Sequence, residues 1–367
     1  MSKPKIIAFY LPQYHPTPDN DKWWGKGFTE WTNVGKAKPL FRGHNQPKVP
    51  ADLGYYDLRL PEVREAQAEL AREAGIYGFC YYHYWFGNGK EELELPFNEV
   101  LRLGKPDFPF MLCWANESWH KKFWDKDGNG SSKELLIEQT YPGAQDIIHH
   151  FYRLLPAFKD PRYIRINGKP AFMIYTPNEL PNPSEFIGIW NELGEKEGIG
   201  QFHFIAQLRE DTSYDNIERN IKEGFNAINT VRLTEAWRKS RTFLGRVWEK
   251  GLSLITGIPR IREYDKIFHR FIGKEDFLPK IYPTIIPNWD HTPRSGKNGA
   301  VLINSTPENF KSHVIEIIDC IKKKSPDDKI CFLKSWNEWG EGNYVEPDLT
   351  YGDNYITTLK SILEFHN

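Results

Sequence analysis

Glu338 and Glu341 lie three residues apart in the segment SWNEWGEG, interleaved with Trp336 and Trp339 and accompanied by Gly340 and Gly342. Two carboxylates against one apolar wall have their proton affinities pushed apart, so that one is held as an acid while the other stays ionised. A pair divided in this way can protonate a leaving oxygen and activate a nucleophile, which is what cleavage of an acetal bond between sugars requires. The two glycines allow the backbone to turn sharply enough to aim both side chains into one cavity. On an exposed turn the same spacing would be solvated charge, so the elements that carry the pair decide its meaning.

Those elements read as eight βα units. Short aliphatic and aromatic runs bounded by turn formers alternate with longer stretches of helical period. The expected strands are Ile6–Tyr10, Gly78–Tyr82, Pro109–Trp114, Ala171–Tyr175, Phe202–Gln207, Ala227–Val231, Ile281–Ile286 and Ile330–Lys334. Between the first two, PEVREAQAELAREAGI puts Val63, Ala66, Leu70 and Ala74 on one stripe, with Gly75 as the stop. Eight such units without a break in composition predict a single-domain (β/α)8 barrel with long βα loops. An open doubly wound sheet is the competing arrangement. The stretch 234–280, rich in Arg and Lys among apolar residues, reads as a lid insertion of helices with solvated charges. Contact with a membrane or a lipid-linked glycan is its sharper alternative.

In such a barrel the site lies at the C-terminal strand ends, and the residues there are polar and aromatic. Tyr10 and His15 follow the first strand, with Glu30 and Trp31 in its long loop. Tyr82, His83 and Trp85 follow the second, and Trp114, Asn116 and Glu117 the third. Trp289 and Asp290 follow the seventh, and Trp336 and Asn337 flank the glutamate pair. Carboxylates, amides and imidazoles supply directional partners for sugar hydroxyls, and indole faces supply platforms. Arg294 is a candidate for an acidic sugar, or else an ion pair. The Asn-Glu dipeptide occurs at Asn116–Glu117 as well as Asn337–Glu338, so Glu117 as acid with Glu338 as nucleophile, carboxyls about 5 Å apart, is a second arrangement.

A formal charge of −1 gives no reason to expect nucleic acid. An aromatic content of 15 %, with 13 Trp and 18 Tyr, suits stacking on the C–H faces of a carbohydrate ligand. Cys80, Cys113, Cys320 and Cys331 are far apart without a CxxC spacing and read as reduced core residues. The first apolar run is too short for a signal peptide and no stretch reaches spanning length, so a cytoplasmic protein without a transmembrane segment is expected. Asp125 to Gly130 begins like a calcium loop, but Leu136 stands where the bidentate Glu belongs, so a surface turn and no metal are expected. No nucleotide fingerprint is present and no cofactor is expected.

The segments IIAFYLPQYHP, GFTEWTNV, GFCYYHYWF, LCWANESW, NWDHTPR and SWNEWGEG together resemble the WbsX-type proteins, relatives of the family 99 glycoside hydrolases. The resemblance runs from residue 6 to about residue 346. It implies a (β/α)8 barrel and, by analogy with the endo-α-mannosidase and endomannanase members, retaining hydrolysis of an α-mannoside-like bond. It further implies that Glu338 deprotonates the sugar 2-hydroxyl, which closes on the anomeric carbon as an epoxide, while Glu341 is the acid to the leaving oxygen and then the base for water. WbsX members are also named glycosyltransferases of O-antigen and lipopolysaccharide assembly. Transfer is therefore the alternative function, and a non-catalytic glycan-binding barrel the third.

Overall fold

The computed structural model describes residues 3–121 and 134–365. Eight strands form the barrel: β1 Lys5–Tyr10, β2 Gly78–Trp85, β3 Phe110–Trp114, β4 Lys169–Ile174, β5 His203–Leu208, β6 Ala227–Thr230, β7 Ile281–Ile285 and β8 Ile330–Leu333. Each is almost entirely buried, as strands covered on both faces must be, which is why they read as continuous apolar runs. Each neighbouring pair is parallel, and the ring closes because β1 pairs with both β2, Ile7 opposite Gly78, and β8, Lys5 opposite Ile330. That double pairing excludes the open doubly wound sheet. All eight expected strands are present, with ends moved by at most three residues.

The main barrel helices are α1 Pro61–Glu73, α2 Leu95–Leu103, α3 Ala144–Lys159, α4 Pro183–Lys196 and α5 Tyr214–Lys222, followed after β6 by α6 Leu233–Lys239 and α7 Phe243–Thr256, and then by α8 Pro307–Ile321 and α9 Asn354–Phe365. Phe9 stacks between Tyr82 and Phe332 at ring separations of 5.5 and 5.3 Å inside the barrel. Outside it, Trp190 of α4 seats on Phe172 of β4 at 4.6 Å. The four cysteines are buried and free.

Two expectations are corrected here. On α1 the buried positions are Arg64, Gln67, Ala68 and Ala71; of the expected stripe, Ala74 just after the helix is fully buried, Val63 and Leu70 pack against the core half-buried, and Ala66 flanks them. The helix is rotated because buried polar partners draw two of its polar residues inward: Arg64 donates to the Leu58 carbonyl and Gln67 to Glu346. In the stretch after β6, Arg238, Lys239, Arg241 and Arg260 are exposed as expected, but on α7 itself polar residues face the protein and apolar side chains face outward. Asp125 to Gly130 lies outside the described residues.

Candidate active site

Beyond β8 the chain makes a tight hairpin, with Asn337–Glu338 antiparallel to Asn343–Tyr344 and a single 3-10 turn, Trp339–Glu341, between them. The two glutamates therefore bracket one turn. Gly342 takes φ +56°, and a Cβ there would lie 2.7 Å from the Cβ of Asp290. Gly340 is needed for a different reason, close approach: a Cβ there would fall 1.8 Å from Glu30 Oε2. Asn337 anchors the hairpin to the end of β1, accepting from Leu11 N at 2.8 Å and donating to Leu11 O at 3.0 Å.

Glu338 and Glu341 both line a cavity of about 260 Å³ at the C-terminal end of the barrel, together with Gln13, Tyr82, Tyr84, Glu117, Trp119, Tyr175, Arg209, His291 and Arg294. Lys334 Nζ stands 3.3 Å from Glu338 and 3.9 Å from Glu341, so one ammonium serves both carboxylates. Arg294 reaches Glu341 at 2.5 Å and Glu30 at 3.0 Å. His291 Nε2 is 3.6 Å from Glu341.

These neighbours split the pair electrostatically. Burial, reinforced by the negative charge of Glu341, raises Glu338 to about 7 in spite of Lys334 and Arg294. For Glu341 burial acts in the same upward direction, but Arg294 and Lys334 outweigh it and hold the carboxyl below its ordinary value. The neighbours thus favour the proton on Glu338 and the negative charge on Glu341. The resemblance gives Glu341 the acid's role, whereas these neighbours favour the proton on Glu338. His291 is kept neutral by burial against the pull of Glu341.

Of the other expected ligand contacts, Tyr82 and Glu117 reach the cavity with the pair. Glu117 is bound by Arg209 and accepts from Thr176 Oγ1 at 2.9 Å. The remaining residues lie behind the cavity wall. Tyr10 donates to Gln67 at 2.6 Å, and His15 is buried against the Pro12 carbonyl. Glu30 is fully buried on Arg294 and Asn33, and Trp31 donates to the Tyr56 carbonyl within an aromatic cluster. His83 meets His150 at 2.8 Å, lowered by burial to about 3 and hence neutral, while Trp85 donates to Asp146 and Trp114 to the Trp85 carbonyl. Asn116 is tied to Thr176 and Tyr141. Trp289 lies beneath Lys334, and Asp290 is buried on His44, Gln46 and Thr292. Trp336 is in the core and Asn337 in the hairpin anchor.

Sequence reasoning passed over Tyr84, Tyr175, Arg209 and Lys334, and quoted His291 only within NWDHTPR. The period-two rule could have found Tyr84, because residues two apart on β2 share a face and Tyr82 points inward. Tyr175 and Arg209 directly follow β4 and β5, where the strand-end rule applies as it does elsewhere.

Glu346 ties the hairpin to α1 and to Tyr56 from behind. Glu346 is fully enclosed and accepts from Trp339 Nε1 at 2.7 Å, Gln67 Nε2 at 2.7 Å and Tyr56 Oη at 2.9 Å. Burial raises it to about 7 against those three donors. Tyr14 Oη donates to the Asn337 carbonyl and accepts from Trp339 N, closing the network under the Trp339–Glu341 turn.

Fold and site define a (β/α)8 barrel whose mouth cavity is lined by a carboxylate pair on the eighth strand's hairpin. Residues 6–359 match the family described as Glycosyltransferase WbsX, and the chain belongs to that family. Two proteins of Xanthomonas campestris pv. campestris, each called Uncharacterized protein WxcX, are 33 % and 34 % identical over 366 and 367 residues, covering 98 % of this chain and 49 % of theirs. The chain spans about half the length of these curated relatives. A solved structure described as a glycoside hydrolase-like protein superposes with TM-score 0.59 at 14 % identity, covering 98 % of this chain and 94 % of its own. The GH99 endo-alpha-mannosidase from Bacteroides thetaiotaomicron superposes with TM-score 0.56 at 16 % identity, covering 98 % and 97 %. At these identities the likeness is one of fold. Among the described residues no helix is long and apolar enough to cross a membrane.

Proposed function

We propose that this protein is a retaining glycoside hydrolase that cleaves an α-mannoside-like linkage of an oligo- or polysaccharide, with Glu338 and Glu341 as one acid–base unit. The observation that carries the reading is that both carboxylates face one cavity and share Lys334, with burial holding Glu338 up and Arg294 holding Glu341 down. Tyr82, Tyr84, Tyr175 and Trp119 give the cavity an aromatic wall suited to a sugar face.

The first step needs an ionised Glu338 to take the 2-hydroxyl proton while the 2-oxygen attacks the anomeric carbon. Glu341 gives its proton to the leaving oxygen as the glycosidic bond breaks. Water then opens the epoxide: Glu341 takes a proton from water, the oxygen bonds to the anomeric carbon, and Glu338 returns its proton to the 2-oxygen. The surrounding charges favour the proton on Glu338 before substrate enters. The charge of Glu341 is the second cause that raises Glu338, so moving the proton to Glu341 lowers Glu338 and leaves it ionised beside Lys334. Both arrangements belong to the same one-proton pair.

The family's description favours a second reading, sugar transfer from a nucleotide donor. A diphosphate bound by side chains alone draws on cationic groups that are not already committed to carboxylates. In this cavity Arg209 is matched by Glu117, Arg294 by Glu30 and Glu341, and Lys334 by the glutamate pair, which supports hydrolysis. Incubation with α-mannans and, separately, with nucleotide sugars plus an acceptor tests this directly. Release of sugar without a nucleotide donor supports the hydrolase; nucleotide-dependent incorporation overturns it.

A further inference from the structure

Helix α7 is turned inside out. On a helix packed against a globular body the apolar stripe faces inward, yet here Leu244, Trp248 and Ile255, on one face at helical spacing, are 78, 75 and 86 % exposed, with Phe243 and Val247 beside them. The inward face is polar. Arg246 donates to the Arg238 carbonyl at 2.8 Å, Glu249 accepts from Arg262 at 2.8 Å, and Ser253 donates to the Lys297 carbonyl at 3.4 Å. These bonds hold the helix by its hydrophilic side and present its hydrophobic side outward. Scattered surface leucines are ordinary, but a contiguous apolar helix face marks a contact surface.

The charge around the face indicates what it contacts. Residues 237 to 262 contain seven Arg or Lys and one acid, Glu249, which is engaged by Arg262. Arg246 and Arg262 lie on the inward side and Lys239 pairs with Glu235, which among the described side chains leaves Arg238, Arg241 and Arg260 as exposed cations near the face. Arg241 and Arg260 are exposed at either end of α7. An apolar face with a central tryptophan and basic flanks matches the interface of an anionic bilayer, where indole sits at the headgroup level and cations meet lipid phosphates. The helix also connects to the catalytic end of the barrel. The strand that follows it, Arg260–Glu263, pairs with Ala300–Ile303; Val301 bridges to Asp290, whose N–H donates to the Glu341 carbonyl at 2.7 Å.

We propose that α7 docks this protein on an anionic phospholipid surface through Leu244, Trp248 and Ile255, with Arg241 and Arg260 contacting headgroup phosphates. Co-sedimentation of the full chain with phosphatidylcholine vesicles, with and without phosphatidylglycerol, tests it. Binding is expected only with phosphatidylglycerol and weakens as salt is raised. The triple variant Leu244→Asp/Trp248→Asp/Ile255→Asp loses binding, with the thermal midpoint unchanged because these side chains are exposed. Arg241→Gln/Arg260→Gln weakens binding by about thirtyfold. Absence of binding, equal binding to neutral vesicles, or undiminished binding by the triple variant overturns the proposal. So does a concentration-dependent dimer that the triple variant converts to monomer, since that result assigns the face to a second copy of the chain.

Discussion

Gly340 and Glu30 are in contact across 310 positions of sequence: Glu30 Oε2 occupies the space that a side chain at residue 340 would need, 1.8 Å from where its Cβ would stand. Glu30 cannot yield freely, because Arg294 and Asn33 both hold it. Gly340→Ala should therefore displace the Glu30–Arg294 pair and with it Glu341. The expected outcome is a loss of about 1–3 kcal/mol in stability, the range for overpacking a closed site, and a fall in kcat larger than that stability loss would cause. Urea unfolding and steady-state kinetics on one preparation check both.

The pair should be active only with one proton on it. Activity as kcat/KM is then bell-shaped in pH, falling on the alkaline side through about 7 as Glu338 ionises, and on the acid side below the usual glutamate range as Glu341 is protonated. Arg294→Gln removes the cation that holds Glu341 down, so the acid limb should move to higher pH. An acid limb that stays put in this variant contradicts the assignment of Arg294 as the group that keeps Glu341 ionised.

Glu346 lends itself to a stability measurement. Its carboxyl is raised to about 7 in the folded protein from an ordinary 4.5, so the native state binds the proton more tightly than the unfolded chain. The favourable contribution is complete below the unfolded value and is lost as pH rises toward 7, a change of about 3 kcal/mol between those limits. Glu346→Gln cannot titrate. Wild type should lose more stability than the variant between pH 4.5 and pH 8 in urea melts, and parallel pH dependences would show that Glu346 does not carry this linkage.

The roles within the pair are separable by leaving group. An aryl glycoside whose phenolate departs without protonation does not need the acid. Glu341→Gln should keep a far larger share of its activity on that substrate than on an unactivated glycan, while Glu338→Gln should be poor on both. The opposite pattern would mean that the roles follow the resting charges, with Glu338 as the acid.

The barrel was legible because each strand is an apolar run buried on both faces and each is followed by a helical period. The hairpin glutamates were legible from their spacing and glycines. The surrounding shell was much less so, because strand ends alternate: on β2, Tyr82 and Tyr84 face the cavity, while His83 and Trp85 turn outward to His150 and Asp146. Nor does local sequence reveal partners such as Glu30 and Arg294, 264 residues apart, or Gln67 and Glu346, whose contact rotates α1. The face of α7 could be read as apolar, but only its tether through Arg246 and Glu249 shows that this face points away from the protein.

The most direct measurement compares sugar release from an α-mannan by the wild type, Glu338→Gln and Glu341→Gln. Each variant should lose at least about a hundredfold in turnover, the lower range for removal of a general acid or base, while its folded state persists with a thermal midpoint no lower than wild type's by more than a few degrees. Retention of near wild-type turnover by either variant would contradict the account of a catalytic pair.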